Sequence, residues 1–317
     1  MQTSVIIPCY NSARWIRETL QSIASQQLDG IEVIAVDDGS TDDSADIIRR
    51  EFPFVRLIQT PNRGASHARN TGTAVASGKF IQYLDADDLL AAGKIAIQIA
   101  ALEKTGADVA YGDWQPLVPG KNGDFVRGEV VARRLERAPE FELFDDFWCP
   151  PAAYLFCRRI VEKVGNWNEG LPVIQDARFA LDCALHGGTF TYCAGVMGYY
   201  RKHGNGSLSR RDPVAFNRDI YRNACEVERW WRSNGGLTRD RLDALIQRYT
   251  QVTRSTYEND RATFEKALLD LQRLVPGFLP AQPRHFALMA RLIGYRNAEA
   301  TAVVYRRAKR FLLHGQA

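Results

Sequence analysis

The chain of 317 residues is long enough for one large domain, or for one domain with a substantial extension. Its 41 basic and 37 acidic side chains nearly balance, at a net charge of +4, so we expect no nucleic-acid partner. No apolar run approaches the ~20 residues that span a bilayer, and the first residues lack a leader pattern. Six cysteines without C-x-x-C spacing predict neither a zinc site nor a disulfide framework, and together these features predict a cytoplasmic protein.

The first 112 residues alternate between buried-strand and amphipathic-helix patterns. This alternation predicts an α/β fold with a mostly parallel, Rossmann-like sheet and helices on both faces. The predicted strands cover residues 4–8, 32–36, 55–58, 79–84 and 108–111. The predicted helices begin after Ser12, a candidate N-cap, and then cover residues 43–51, 64–76 and 94–104.

The pattern changes twice further along the chain. Prolines and glycines between Trp114 and Ala138 predict loops or a β excursion, and the aromatic-rich residues 145–209 predict a substrate-facing region. After Pro213 three segments are helical in pattern, at residues 216–233, 239–275 and 285–313. We therefore expect a catalytic domain (1–212), with a nucleotide-sugar half (1–112) and an acceptor half (113–212), followed by a helical C-terminal region (213–317).

Three carboxylates, Asp85, Asp87 and Asp88, follow the predicted strand 79–84 within four residues. Like charges at this spacing repel, and a bound cation or proton would relieve the repulsion. Carboxylate oxygens suit Mg²⁺ or Mn²⁺, which leave coordination positions open for substrate phosphates. The alternative for an isolated D-x-D-D motif is a solvated acidic turn that caps the next helix.

Three other motifs stand at ends of predicted elements that open α/β sheets use for ligand binding. Tyr10, after the first strand, can stack on a planar base, and Asp37, after the second, can accept a hydrogen bond from a base N–H. Arg69, in a segment that opens a helix, can reach a base or a phosphate. Beside the carboxylate cluster, these motifs indicate a nucleotide diphosphate site.

Four segments resemble the family 2 glycosyltransferases, which are inverting enzymes of the glycosyltransferase-A fold. They are Val5–Asn11, Val36–Asp42, Asn62–Gly72 and Tyr83–Asp88, in the family's order and approximate spacing. The likeness runs from about Thr3 to about Ser209. It implies that Pro8 and Tyr10 border the nucleobase, that Asp37 hydrogen-bonds it, and that Arg69 lies nearby.

The same resemblance implies the metal site. Asp85 contacts the nucleotide-sugar side, Asp87 ligates Mn²⁺ or Mg²⁺, and Asp88 supports the cluster or caps the following helix. The segment Tyr200–Ser207 resembles the family's Y-R-x-H…S motif, in which His203 completes the metal shell or touches the diphosphate; a solvated loop histidine is the alternative. Arg201 and Lys202 can flank the diphosphate or be ordinary surface charges.

On the acceptor side, Asp176 matches the family's catalytic base, which deprotonates the acceptor hydroxyl; the alternative is a simple helix cap. Gln175 stands where the family often has a glutamate. Trp148 aligns with the acceptor-side wall, where it can stack on a sugar face or pack in the core. The helices after Pro283 carry basic groups among apolar residues, which suits an anionic membrane surface, a partner helix or packing on the catalytic domain.

The resemblance implies metal-dependent transfer of a sugar from a nucleotide diphosphate donor, a UDP-sugar in the first instance, to a hydroxyl of a glycan or glycolipid. The pathway it most often implies is bacterial surface polysaccharide or lipopolysaccharide synthesis, on the inner face of the cytoplasmic membrane. One alternative is a nucleotide-sugar-binding protein without transferase activity. A dinucleotide-dependent oxidoreductase is disfavoured because Pro-Cys-Tyr-Asn, not G-x-G-x-x-G, follows the first strand.

Overall fold

The computed structural model describes residues 2–120, 123–203, 211–279 and 284–314, with side chains through residue 305. The described chain forms two compact units, which divide between residues 211 and 212. No helix within the described residues is both long and apolar enough to cross a membrane.

The first unit is built on one mixed sheet. Its nine described strands have the order β3-β2-β1-β4-β8-β6-β9-β5, with β7 paired to β6. The strands are β1 (Thr3–Cys9), β2 (Ile31–Asp37), β3 (Val55–Gln59), β4 (Phe80–Tyr83), β5 (Leu89–Leu90), β6 (Val109–Pro119), β7 (Phe125–Arg127), β8 (Tyr154–Cys157) and β9 (Phe190–Arg201). The helices are α1 (Ile16–Ala24), α2 (Ser44–Glu51), α3 (Ala65–Val75), α4 (Lys94–Thr105), α5 (Pro139–Asp145), α6 (Arg158–Val164) and α7 (Gln175–Leu185), with a 3₁₀ turn at Pro151–Ala153.

The first four strands form the parallel half that the sequence pattern predicts. β1 pairs in parallel with both β2 and β4, and β2 pairs in parallel with β3. β1 is buried along its whole length, because helices cover both faces of the sheet. Gly72 lets α3 approach β1 closely, since a Cβ there would stand 2.5 Å from a methyl group of Ile6. The carboxyl ends of β1, β2 and β4 therefore meet at one edge of the sheet.

The second half of the sheet differs from the sequence-based prediction. β8 runs antiparallel to both β4 and β6, so the whole sheet is mixed rather than mostly parallel. β6 continues eight residues beyond the predicted end at Tyr111, and β9 does not stand out in the sequence pattern. The register between β6 and β9 shifts on either side of Asp113, next to Gly112. Such irregularity breaks the period-two alternation from which strands are recognised.

The second unit is helical, with α8 (Pro213–Ser233), α9 (Arg239–Thr256), α10 (Arg261–Leu274), α11 (Arg284–Ile293) and α12 (Tyr295–His314). Two of the three predicted helical segments are each divided in two. Asp260 caps α10 by accepting a hydrogen bond from the backbone N–H of Thr263. Gly294, at φ +79°, separates α11 from α12. Phe264, Phe286 and other apolar side chains form a separate core in this unit.

Candidate active site

The loops that follow β1 and β2 are bound to each other at the carboxyl edge of the sheet. The backbone N–H of Asn11 donates to Ser40 Oγ at 2.9 Å, and Asn11 Oδ1 accepts from the backbone N–H of Thr41 at 2.8 Å. Asn11 has a φ of +47°, which asparagine tolerates better than most residues. Tyr10 is 52% exposed, so its ring is open to a planar ligand, whereas Pro8 is buried within β1.

Two buried carboxylates at the end of β2 order the same edge. Asp37, 1% exposed, accepts hydrogen bonds from the backbone N–H of Ser40 and from the amide of Gln59, both at 3.1 Å. Asp38 accepts from the backbone N–H of Arg63 at 2.9 Å and from that of the next residue at 2.7 Å. Each carboxylate oxygen has two lone pairs, so Asp37 retains acceptor capacity after these bonds.

Arg69 is a buried side chain that hydrogen-bonds two separate parts of the site. The guanidinium donates to Asp85 Oδ1 at 2.5 Å and to Gln175 Oε1 at 2.9 Å. Its centre lies 4.4 Å from the ring centre of Trp167, and the side chain is only 3% exposed. The guanidinium of Arg69 therefore joins Asp85 of the carboxylate cluster to Gln175 at the start of α7.

The carboxylate cluster combines one buried and two half-buried members. Asp88, which is 1% exposed, accepts a hydrogen bond from the backbone N–H of Arg201 at 2.8 Å. Burial raises the pKa of Asp88 well above its ordinary value, and repulsion from Asp87 and Asp85 adds to the effect. Burial also raises the pKa of Asp85, against the opposing charge of Arg69. The cluster therefore favours a bound proton or cation.

Asp87 and His203 face each other at the open side of this cluster. Asp87 Oδ2 lies 2.6 Å from His203 Nε2, and the two side chains are 34% and 29% exposed. The imidazole packs against the ring of Trp15, with ring centres 5.5 Å apart, which restrains its orientation. A carboxylate oxygen and an imidazole nitrogen are both donors that Mn²⁺ accepts.

The donor set for a metal is small. Among the residues that the structure describes, no group of three or more His, Cys, Asp or Glu side chains is arranged to hold a metal ion. Two protein donors suit a site that is completed by substrate phosphates and water, as is common for Mg²⁺. Asp87 and His203 therefore fit a metal that is shared with a phosphorylated ligand.

Arg201 does not flank a diphosphate, contrary to one sequence-based expectation. Its guanidinium donates to Glu18 at 2.7 Å and to the backbone carbonyl of Asp87 at 2.8 Å. It is 3% exposed and lies 4.4 Å and 4.7 Å from the ring centres of Trp15 and Phe125. Through these contacts the buried guanidinium of Arg201 holds the end of β9 against the turn that carries Asp87.

Asp176 stands in the first turn of α7, directly after Gln175, which accepts a hydrogen bond from Arg69. Its negative charge contributes to the raised pKa of Asp85, so the two carboxylates belong to one site. The indole N–H of Trp148 donates to Asp176 Oδ2 at 2.7 Å. The structure thus brings together Asp85, Asp87, His203, Asp176 and Trp148, while Tyr10 and Asp37 border the same edge of the sheet.

Sequence reasoning missed three side chains that shape this site: Trp15, Glu18 and Gln59. Gln59 was detectable, because it is the last residue of β3 and pairs with Asp37 at the carboxyl edge. Trp15 and Glu18 had no comparable signal, since their roles depend on the distant Arg201 and His203. The rest of the Y-R-x-H…S segment, at residues 204–207, lies outside the described residues.

A family model described as "Glycosyl transferase family 2" matches residues 4–165. The Escherichia coli UDP-Glc:alpha-D-GlcNAc-diphosphoundecaprenol beta-1,3-glucosyltransferase WfgD is 33% identical over 132 residues, which cover 41% of this chain and 50% of that protein. The chain spans about a quarter of the length of several other curated relatives, all named as uncharacterized glycosyltransferases.

Two solved structures share the fold at 20% sequence identity. S. aureus TarS 1-349 in complex with UDP-GlcNAc superposes with a TM-score of 0.70, over 97% of this chain and 92% of that one. The mannosyltransferase PcManGT from Pyrobaculum calidifontis, in complex with GDP-Man and Mn2+, has a TM-score of 0.59 over 96% and 86%. The family match extends over about half of the chain and includes Tyr10, Asp37, Arg69 and the carboxylate cluster. The chain therefore belongs to glycosyl transferase family 2 and has the glycosyltransferase-A fold.

Proposed function

We propose that the chain is a metal-dependent, inverting glycosyltransferase that uses a nucleotide diphosphate sugar, in the first instance a UDP-sugar. The acceptor is a hydroxyl of a glycan or glycolipid. The observation that carries this proposal is that Arg69 donates hydrogen bonds both to Asp85 of the carboxylate cluster and to Gln175, the residue before Asp176, so the cluster and Asp176 belong to one site. The names of WfgD, which uses UDP-Glc, and of TarS with UDP-GlcNAc support a UDP-linked donor.

For the donor, we assign the nucleobase to the edge formed by the loops after β1 and β2. Exposed Tyr10 stacks on the base, Pro8 supports that loop from within β1, and Asp37 accepts a hydrogen bond from a base N–H. Asp85 contacts the sugar side of the donor, and Arg69 holds its carboxylate in place. Asp88 is the buried member of the carboxylate cluster, so we assign it no direct contact with the donor.

For the cofactor, Asp87 and His203 would hold Mn²⁺ or Mg²⁺. When bound, the metal supplies Lewis-acid stabilisation of the negative charge on the departing diphosphate. The Mn²⁺ in the PcManGT complex supports this choice. Trp15 and Arg201 keep His203 and the Asp87 turn in position, because both pack directly against them.

For the chemistry, Asp176 acts as the base. Its carboxylate takes the proton of the acceptor hydroxyl while that oxygen attacks the anomeric carbon of the donor sugar. The new glycosidic C–O bond forms as the bond from the anomeric carbon to the diphosphate breaks, so the nucleoside diphosphate leaves and the configuration inverts. The proton remains on Asp176 until solvent removes it.

We propose that residues 1–212 are the catalytic domain, with the donor in the half 1–112 and the acceptor in the half 113–212, and that residues 213–317 form a helical accessory region. The reaction is assigned to bacterial surface polysaccharide or lipopolysaccharide synthesis at the cytoplasmic face of the membrane. The lipid-diphosphate acceptor in the name of WfgD supports this assignment.

A thermal-shift screen of nucleotide sugars with and without Mn²⁺ tests the donor: metal-dependent stabilisation by at least one of them is expected, and stabilisation by none would contradict the proposal.

We expect Asp37→Ala to weaken UDP binding by about 10- to 100-fold. The substitution removes a charged acceptor for the base and also releases Gln59 and Ser40, and hydrogen bonds to charged groups contribute about 1.5–3 kcal/mol. Isothermal titration calorimetry with UDP and Mn²⁺ measures the change. Asp46→Ala is the matched control, because Asp46 is a surface residue paired with Arg49. Wild-type affinity in Asp37→Ala would refute its role in the base pocket.

We also propose that the helical region contacts an anionic membrane surface through α11. Leu288 and Leu292 on this helix are 59% and 75% exposed, and the helix carries Arg284 and Arg291 without an acidic residue. The basic side chains of residues 306–310 lie outside the described side chains.

Flotation with phosphatidylglycerol vesicles tests this surface. The intact protein is expected to float, and the double variant Leu288→Ser/Leu292→Ser is expected to lose most of that binding. Leu269→Ser is the control, because Leu269 is equally apolar and 66% exposed but lies on α10. Failure of the intact protein to float, or full binding by the double variant, would contradict the membrane contact.

A further inference from the structure

Trp148 and Asp176, which the sequence assigns separately to the acceptor wall and to the base, are in direct contact. The indole Nε1–H of Trp148 donates to Asp176 Oδ2 at 2.7 Å. The other carboxylate oxygen, Oδ1, accepts from the backbone N–H of Ala177 at 2.8 Å. Each oxygen of the carboxylate therefore has a donor at a fixed position, and these two donors set the orientation of the carboxylate plane.

Two further aromatic rings hold the indole of Trp148 in place. The ring of Trp114 on β6 lies 5.3 Å away at 83°, and that of Tyr200 on β9 lies 5.3 Å away at 80°. Trp114 and Tyr200 also contact each other at 5.8 Å, which closes an edge-to-face cluster of three rings. Because β6 and β9 are paired strands, the indole rests on a rigid support. Rotating it away from Asp176 would break both ring contacts.

Among the described residues, the carboxylate of Asp85 and the phenols of Tyr154 and Tyr200 interact electrostatically with Asp176. Burial raises the pKa of both phenols far above neutrality, so they remain uncharged when carboxyl groups titrate. The cation of Arg69 is hydrogen-bonded to Asp85 and to Gln175, the residue before Asp176. The indole of Trp148, by contrast, donates a hydrogen bond directly to the carboxylate of Asp176.

We propose that Trp148 is a positioning residue for the transfer reaction, which holds the carboxylate of Asp176 in a fixed orientation toward the acceptor hydroxyl. The proposal rests on the proposed role of Asp176 as the base. Turning the carboxylate out of this orientation would break the hydrogen bonds from the indole of Trp148 and from the backbone N–H of Ala177. Asp176 Oδ2 keeps acceptor capacity beyond the bond from the indole, which is available to the acceptor hydroxyl. Trp148 thus acts through Asp176, not by stacking on a sugar.

Steady-state kinetics of UDP release from the donor identified by thermal shift test this role. In Trp148→Phe, which keeps an aromatic ring but lacks the N–H, we expect kcat to fall by about 10-fold while the KM for the donor stays at the wild-type value, because one hydrogen bond to the carboxylate of Asp176 is lost. In the Asp176→Asn background the same substitution is expected to cause no further loss, since Trp148 acts through Asp176. Trp114→Phe is the matched control, because the indole N–H of Trp114 is buried in the same cluster and has no hydrogen-bond partner among the described residues. Its kcat is expected to match that of the wild type.

A second measurement does not depend on the folding of Trp148→Phe. In the wild-type protein the indole ¹H–¹⁵N signal of Trp148 is expected at the low-field position of a hydrogen-bonded N–H, and in Asp176→Ala it is expected to move upfield. A wild-type kcat in Trp148→Phe, or an indole signal that is unchanged in Asp176→Ala, would overturn the proposal. Sugar transfer by Asp176→Asn at the wild-type rate would instead overturn the assignment of the base, and with it the positioning role, while the contact itself stayed confirmed.

Discussion

Replacing Asp87 with alanine is expected to abolish the Mn²⁺-dependent part of UDP binding. Asp87 and His203 are the two half-exposed donors at the open side of the carboxylate cluster, and neither can substitute for the other. We expect the dissociation constant for UDP in the presence of Mn²⁺ to rise by at least about 100-fold, since even residues that only orient a metal ligand contribute 10- to 100-fold. Calorimetric titration of UDP at fixed Mn²⁺ measures this change.

The stability of the same variant separates ligand loss from misfolding. Asp87 adds to the repulsion that raises the pKa of Asp85 and Asp88, so removing its charge relieves the cluster. Without metal, the melting temperature of Asp87→Ala is therefore expected to equal or exceed that of the wild type. His203→Ala should also weaken Mn²⁺ binding, as Asp87→Ala does. Metal-dependent UDP binding of wild-type strength in Asp87→Ala would show that the ligand assignment is wrong.

Replacing Asp176 with asparagine is expected to lower the rate of sugar transfer by about 10²- to 10⁴-fold, the usual contribution of a general base. Donor binding should be unchanged, because the proposed donor contacts are made by Tyr10, Asp37, Asp85 and the metal, not by Asp176. Asparagine keeps the shape of the side chain and an oxygen that can accept the indole N–H of Trp148, so the fold is preserved. Release of UDP from the donor identified by thermal shift measures the rate.

The helix-cap alternative for Asp176 predicts a different pattern. A residue that only stabilises the start of α7 would lower the melting temperature when replaced and would leave the turnover of the folded enzyme intact. The control is Asp182→Asn, which removes a carboxylate from the same helix where it pairs with Arg178. We expect this control to lose stability but not turnover. Full transfer by Asp176→Asn would mean that another group serves as the base.

The nucleotide half of the fold was predictable because its physical constraints are local. Strands buried on both faces give short apolar runs, and the helices between them give clear amphipathic patterns. The predicted order of strands and helices up to residue 112 is confirmed; the ends differ by one to a few residues except at β6, which continues eight residues further, and the short β5 is unpredicted. The clustering of Asp85, Asp87 and Asp88 at the carboxyl end of β4 follows from the same reasoning.

The acceptor half was less predictable because its contacts are long-range. β9 contains Gly195 and Gly198, and a Cβ at Gly198 would collide with Ala152. No local sequence pattern indicates this close approach. The hydrogen bond from Trp148 to Asp176 joins residues 28 positions apart, and the bond from Arg201 to Glu18 joins residues 183 apart. Such pairs depend on the order of strands in the sheet, so the sequence indicated the residue types but not their partners.

Calorimetric titration of the intact chain with UDP, in Mn²⁺ and again in EDTA, decides whether nucleotide binding requires the metal. We expect one UDP per chain in Mn²⁺, with Asp87 and His203 completing the metal site, and binding at least about 100-fold weaker in EDTA. A panel of GDP, CDP and TDP under the same conditions serves to identify the base. Equal affinity with and without Mn²⁺, or no binding of any nucleoside diphosphate, would contradict the account.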